Sequence, residues 1–358
     1  VRVMSLVGNR PQFVKAAPLS RALRSRGTEI LVHSGQHYDP DLADLFFDEL
    51  AIPTPEYGLG IGQGSPLAQL AGMITGLEAL ILSERPEALV VYGDTTTTLA
   101  GALCAAKCNI PLAHVEAGLR SFDATMPEEQ NRIVTDHLSG LLLCPTPVAV
   151  ENLHHEAITH GVHMVGDVML DAALLFADAA ASRTGATEFG MTPGEFILIT
   201  VHRAAATDTP AALADLLEML RALPFPALFP VHPRTRAKLT DAGLWDAASQ
   251  IPGVTLIGPV GYLDFTRLLT QARAVVTDSG GVQKEACLHR IPCVTVRDTT
   301  EWTETVTHGY NTLTGMHAAT VNAAVLDATI PPNAPDLYGD GKASERIASL
   351  IEEFVASR

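Results

Sequence analysis

Positive charge is scarce in this chain. The 358 residues carry 24 Lys and Arg against 40 Asp and Glu, a formal net charge of −16. No basic face stands out, which argues against a nucleic-acid-binding protein. A few converging cations would still suffice to hold an anionic nucleotide. Cysteine is scarce too, with five residues at 104, 108, 144, 287 and 293. The count is odd and each lies in an apolar segment, so buried free thiols are expected rather than a disulfide framework. Cys104 and Cys108 stand four apart on a predicted helix, a spacing that could hold metal. No His or third Cys flanks them, so they read as core. Long apolar runs are missing as well: no segment reaches the roughly 18 residues of a membrane span. The chain opens on an apolar strand, Val1–Val7, with no leader pattern before it. The expectation is therefore a cytoplasmic protein with no membrane or nucleic-acid partner.

What is present is apolar bulk, 47% of residues against 18% charged, enough for large cores. The length suits two domains of about 150–200 residues. Strand-like runs near 1–7, 29–34, 88–93, 111–115, 140–144 and 162–168 alternate with helical runs at 11–26, 40–50, 66–84, 95–108, 127–139 and 146–158. Within 66–84, Leu67, Leu70, Ile74, Leu77 and Ile81 recur at helical spacing. After an Ala-, Ser-, Thr- and Gly-rich stretch at 177–194 the pattern restarts. Strands are predicted near 196–201, 227–231, 254–257, 274–277 and 292–296, with helices near 210–223, 262–272, 281–289 and 318–328. A last helix, 343–356, carries Ile347, Leu350, Ile351 and Phe354 as a stripe. Continuous apolar strands separated by helices predict parallel sheets covered on both faces. The fold class is thus α/β, with two doubly wound Rossmann-like domains, 1–170 and 171–342, facing across a cleft. The helix at 343–358 is expected to pack back on the first. Ligands of such sheets bind beyond the carboxyl ends of the strands.

The most informative of those strand ends is Asp278-Ser279-Gly280-Gly281-Val282-Gln283-Lys284-Glu285. A strand that ends in Ser-Gly-Gly and opens a helix points several backbone N–H groups at one spot, the positive end of a helix dipole. It suits a phosphate. Glycine lets the backbone approach the ligand closely, and Glu285, one turn on, can accept bonds from a ribose diol. An ordinary strand-to-helix turn has the same outline.

Other strand ends carry charge. The first ends in Gly8-Asn9-Arg10-Pro11, with Pro11 suited to a helix start and Arg10 and Lys15 supplying positive charge. Asp94, after Tyr92-Gly93, fits either a functional carboxylate or a helix cap. Glu116 closes an apolar strand, where a carboxylate is costly unless paired or used. Glu128 and Glu129 follow Pro127, where acids favour the helix dipole. His202 ends the first strand of the second half, suited to a proton donor or phosphate partner; His232, at the next strand end, reads as peripheral. Asp94, Glu116, Glu128 and His202 together make a constellation.

These motifs, in this order, carry a resemblance over essentially the whole chain. They are Gly8-Asn9-Arg10-Pro11, Gly93-Asp94-Thr95-Thr96-Thr97-Thr98, His114-Val115-Glu116-Ala117-Gly118-Leu119-Arg120, Pro127-Glu128-Glu129, Asn131-Arg132, Val201-His202-Arg203, Asp278-Ser279-Gly280-Gly281 and Arg297-Asp298-Thr299-Thr300-Glu301. The chain resembles the non-hydrolysing UDP-N-acetylglucosamine 2-epimerases, which have the two-domain architecture of GT-B glycosyltransferases. The resemblance implies a homodimeric isomerase that takes a UDP-sugar and needs neither metal nor nicotinamide. Asp94, Glu116 and Glu128, rather than Glu129, would move protons at the sugar, and His202 would assist departure of UDP. Ser279, Gly280 and Gly281 with Arg10 would hold the diphosphate, Glu285 the ribose, and Lys15 and Arg132 would add to substrate binding. The sequence departs from the pattern at Trp302, where many members acting on UDP-N-acetylglucosamine have Arg. With Gln283-Lys284-Glu285 this resembles the branch acting on UDP-2,3-diacetamido-2,3-dideoxyglucuronic acid. Gln36-His37-Tyr38-Asp39 stands where substrate-activated members carry a Gln-His-Arg-type stretch. A GT-B glycosyltransferase is the alternative of another class.

Overall fold

The structure, a computed structural model, describes residues 1–35, 50, 52–61 and 64–358, except for the side chain of Arg10. The helix expected at 40–50 and the 36–39 stretch fall outside or almost wholly outside that set. Contacts divide the chain into two compact units, Val1–Leu175 with Tyr338–Arg358, and Phe176–Leu337.

The first unit is built on strands β1 (Arg2–Val7), β2 (Thr28–His33), β3 (Tyr57–Gly58), β4 (Ala88–Tyr92), β5 (Leu112–Val115), β6 (Leu141–Cys144) and β7 (Val162–Met164). They form one sheet in the order β3-β2-β1-β4-β5-β6-β7, every pairing parallel. The helices between them are α1 (Arg10–Arg24), α2 (Pro66–Glu84), α3 (Thr96–Cys108), α4 (Pro127–Leu138) and α5 (Pro147–His155); α6 (Val168–Ala181) follows β7 and is divided between the two units. Most start on a side-chain cap followed by Pro or Thr: Asn9 caps α1, Ser65 caps α2, Thr95 caps α3 and Thr146 caps α5. Such caps satisfy N–H groups that the first turn leaves open. Thr95, not Asp94, is the cap of α3, which leaves the Asp94 side chain for other work.

The second unit repeats the plan with β8 (Ile197–Thr200), β9 (Ala227–Pro230), β10 (Val254–Ile257), β11 (Ala274–Thr277), β12 (Cys293–Thr295) and β13 (Asn311–Leu313), ordered β10-β9-β8-β11-β12-β13. Its main helices are α7 (Pro210–Arg221), α8 (Pro233–Asp241), α9 (Tyr262–Gln271), α10 (Gly280–Leu288) and α11 (Ala318–Leu326). Alternate strand residues feed two separate cores. Ile199, Phe229 and Val276 pack on one face, and Leu198, Leu228 and Val275 on the other. Burial on both faces explains the unbroken apolar strands. The last helix, α12 (Ala343–Ala356), belongs to the first unit and packs on α1.

Two readings of the sequence change. The strand expected over 162–168 stops at Met164, and Val168–Ala181 is helix. The stripe expected on α2 shifts: Met73, Leu77 and Ile81 are buried while Leu67 is 78% exposed. α2 has 19 residues and a mean hydropathy of 1.4, long and apolar enough by length and composition to cross a bilayer, but Gln69, Thr75, Glu78 and Ser83 interrupt it, so no run of about 18 apolar residues occurs there, as expected. Its place rules that use out of this fold. It connects two strands of one sheet and packs against α3.

Candidate active site

In each sheet the strand order reverses at one point, between β1 and β4 in the first and between β8 and β11 in the second. The loops that leave these strands diverge to opposite faces and open a crevice at the carboxyl ends. Lys15 and Asp94 follow β1 and β4, His202 and Asp278 follow β8 and β11, and Glu116 follows β5, the neighbour of β4.

In the first unit the β1 and β4 loops are tied together by Gln12, a residue sequence reading passed over. Its buried amide donates to the Tyr92 carbonyl at 2.8 Å, and to Thr95 Oγ1 and Thr98 Oγ1 at 3.0 and 3.1 Å; its Oε1 accepts from Gly8 N at 2.8 Å. Gly8 has no room for a side chain, since a Cβ there would lie 2.1 Å from Thr97 Oγ1. On this frame Lys15 Nζ donates to Glu116 Oε1 at 2.6 Å, and both side chains are nearly buried. The apparent cost of a carboxylate at the end of an apolar strand is thus met by a partner 101 residues away. Glu116 sits at φ +72°, a conformation uncommon outside glycine. Gly93, at φ +62°, lies beside the same pair.

Asp94 is half-buried and forms an ion pair with Arg132, while Asn131 Nδ2 donates to its carbonyl at 2.9 Å. Arg132 also binds Glu129 Oε2 at 2.9 Å. Glu129 is buried and fully engaged: it accepts from Ser121 N at 2.9 Å, Ser121 Oγ at 3.0 Å and Phe122 N at 2.8 Å. It therefore organises the 121–126 loop. Glu128, next to it, is half-buried at the start of α4. The two adjacent acids, equivalent by sequence, differ in surroundings: one is consumed by the fold and the other is accessible.

Beneath this set, His114 and Asp136 are buried. Burial works to raise the Asp136 carboxyl, but the charges and hydrogen bonds of His114 and Arg120 outweigh it and hold it below the ordinary carboxylate range.

In the second unit Asp278, 1% exposed, clamps the β8 loop to β11 by accepting from His202 N at 2.8 Å and Arg203 N at 2.7 Å. Its other oxygen is 3.5 Å from His202 Nδ1, and the His202 ring stacks on His232 with centroids 5.0 Å apart. His232, read as peripheral, thus touches the ring of interest. Ser279 is the N-cap residue of α10 without a side-chain cap bond, and Gly281 is exposed beside it. Glu285 lies one turn on, half-buried. Gly280 has an internal reason to be glycine that the sequence did not disclose. A Cβ there would meet Glu301 Oε1 at 2.0 Å. Glu301 in turn pairs with Arg297 at 3.1 Å. Trp302 is buried, and the ammonium of Lys284, itself 1% exposed, stands 4.5 Å from its ring centroid. The Arg10 side chain and Gln36–Asp39 lie outside the described residues.

The family model described as UDP-N-acetylglucosamine 2-epimerase matches residues 21–352. The chain belongs to this family. A UDP-2,3-diacetamido-2,3-dideoxy-D-glucuronate 2-epimerase of Pseudomonas aeruginosa is 44% identical over 99% of this chain and 100% of its own length. A UDP-N-acetylglucosamine 2-epimerase homolog of Methanococcus maripaludis is 42% identical over 99% and 100%. Among solved structures, the UDP-GlcNAc 2-epimerase of Methanocaldococcus jannaschii in complex with UDP-GlcNAc and UDP has a TM-score of 0.92 at 38% identity, covering 99% of this chain and 100% of that one. For a member of the epimerase family, the GT-B fold class follows from two doubly wound parallel sheets together with this likeness.

Proposed function

We propose that this epimerase-family chain inverts C2 of a UDP-N-acetylhexosamine, interconverting UDP-N-acetylglucosamine and UDP-N-acetylmannosamine without consuming the nucleotide sugar. The observation that carries the reading is the pair of cation-held carboxylates, Glu116 with Lys15 and Asp94 with Arg132, beside the accessible Glu128. The C2 proton of the sugar is poorly acidic, so its removal is coupled to loss of the leaving group. A carboxylate takes the proton, the C–H electrons form the C1=C2 bond, and UDP leaves C1 with the electrons of the C1–O bond. The product is a glycal. Return of UDP oxygen to C1, with a proton delivered to the other face of C2, gives the epimer. Two faces require at least two proton-transfer groups of different basicity. Asp94, Glu116 and Glu128 are assigned to that work, and Lys15 and Arg132 act through the carboxylates they hold. Ser279, Gly280 and Gly281 at the start of α10, with Arg10 and His202, take the charge that develops on the departing diphosphate. Glu285 takes the ribose. No step calls for a metal or a redox cofactor.

Proton NMR in D2O tests the reading: UDP-N-acetylglucosamine is expected to gain deuterium at C2 and a new anomeric signal of the manno epimer. Asp94→Asn and Glu116→Gln should abolish exchange while calorimetry still shows UDP binding; full activity in either removes its assigned role. Acceptor-dependent release of UDP would instead favour a glycosyltransferase. A second substrate, UDP-2,3-diacetamido-2,3-dideoxyglucuronic acid, is favoured by the 44% identity to the Pseudomonas aeruginosa epimerase and by Trp302. Exchange with that sugar alone would decide for it. The working unit is a homodimer, supported by the apolar surface of α2. The cytoplasm is its compartment, supported by five free cysteines.

A further inference from the structure

His114 has neither of its ring nitrogens near solvent, and both face acceptors. Nε2 lies 2.6 Å from the Gly93 carbonyl, which can only accept, so Nε2 carries a hydrogen. Nδ1 lies 2.7 Å from Asp136 Oδ1. The other Asp136 oxygen accepts from Gly118 N at 3.1 Å and Arg120 Nη1 at 2.7 Å. Asp136, itself held by these donors, anchors the Nδ1 side of the ring. The groups packed around the ring are Asp136 from α4, the Gly93 carbonyl after β4, and Arg120 beyond β5. Arg120 is held in turn by Glu156 at 2.6 and 2.8 Å, and the Cys144 thiol of β6 is near enough to feel Asp136.

We infer that His114 is a buried positioning residue that sets the peptide carrying Asp94. Its Nε2–H fixes the carbonyl of Gly93, and Asn131 fixes the carbonyl of Asp94, so the peptides on both sides of the Asp94 Cα are clamped. The same imidazole precedes Glu116 by two residues, so one buried ring orders the backbone beneath both carboxylates. Reactions that need a proton-transfer group at one place lose rate steeply when it is displaced. His114 touches no reacting atom and acts through Asp94.

This inference rests on the proposed reaction, and the wild-type enzyme in the same D2O assay separates the two. Absence of C2 exchange in wild type would remove the reaction; exchange in wild type with unaffected variants would remove the role of His114. His114→Gln keeps a donor for the Gly93 carbonyl, His114→Asn keeps one for Asp136, and His114→Phe keeps neither. The expected order of kcat is wild type, Gln, Asn, Phe, with Phe down at least 100-fold and UDP affinity by calorimetry within twofold throughout. A structural role alone would make activity follow Tm, with Gln and Asn equivalent. If the variants do not fold, nitrogen–proton correlation spectra of ring-labelled wild type still decide. A proton on Nε2 supports the inference, and a ring whose Nε2 carries none overturns it.

Discussion

Gly280 and Gly281 stand side by side at the start of α10 and meet different surroundings. A Cβ on Gly280 would strike the Glu301 carboxylate at 2.0 Å, whereas on Gly281 the nearest atom is Ser279 Oγ at 3.9 Å. Gly280→Ala must therefore push Glu301 away from Arg297. It is expected to cost about 1–3 kcal/mol, read as a Tm lower by several degrees. Gly281→Ala should leave Tm within about 1 °C and weaken UDP binding, since no internal contact asks for glycine there. An equal thermal loss in both would sink this distinction. His33 gives a second residue-scale prediction. Burial pushes its ring down to about 4, and it packs at 5.3 Å from the Phe13 ring. In the unfolded chain an ordinary His titrates near 6.5. Between those values the unfolded state binds the extra proton, so stability is complete above about pH 6.5 and falls as pH drops towards 4. The span corresponds to roughly 3 kcal/mol. His33→Gln should flatten the pH dependence of Tm in that window; an unchanged slope would assign the loss to other groups.

At the scale of elements, the strands and longer helices were legible because both sheets are buried on two faces and several helices carry a start signal in Ser, Thr, Asn or Pro. What was not legible has physical reasons. β3 and β13 are edge strands of two and three residues, too short for a pattern. α6 begins where a strand was expected, because its early residues Val168, Met169 and Leu170 are apolar and alternate no differently from a strand end. At the candidate site, the charge of Asp94 and Glu116 could be read locally, but Lys15, 101 residues from Glu116, could not be named as its partner. Gln12 carries no charge signal and does its work through contacts about 80 residues away in the chain. Glu129 differs from Glu128 through its burial, its pairing with Arg132 and the loop it pins. That loop is an element-scale test. Four donors converge on Glu129, and one of them, the N–H of exposed Phe122, belongs to a residue at φ +58°. Glu129→Gln places an amide group where donors already point, at about 2–4 kcal/mol. Tm is expected to fall by about 5–10 °C, with faster amide exchange over 121–126. Unchanged exchange there would show that the loop holds itself.

At the scale of the whole molecule, two properties pull against each other. A net charge of −16 keeps copies of the chain apart at low salt. Yet α2 presents a surface no solvated monomer is expected to leave open. It is 19 residues long with a mean hydropathy of 1.4, and only 17% of its most apolar window is buried. Its inward contacts are made by Met73, Leu77 and Ile81, while Leu67 and Leu82 stand 78% and 65% exposed. Gly72 and Gly76 are already used within the unit, holding Ile61 and Leu59, and among the described residues Leu67 and Leu82 remain exposed. A second copy offering the same helix would cover them symmetrically, and burial of such a face outweighs charge repulsion once salt screens it. Light scattering at physiological salt is therefore expected to give twice the chain mass of 38.0 kDa. Leu67→Glu with Leu82→Glu should halve it while leaving the far-ultraviolet circular dichroism unchanged, because neither side chain belongs to the core. A monodisperse monomer in the wild type would reject the dimer, and a dimer that survives both charges would move its interface off α2.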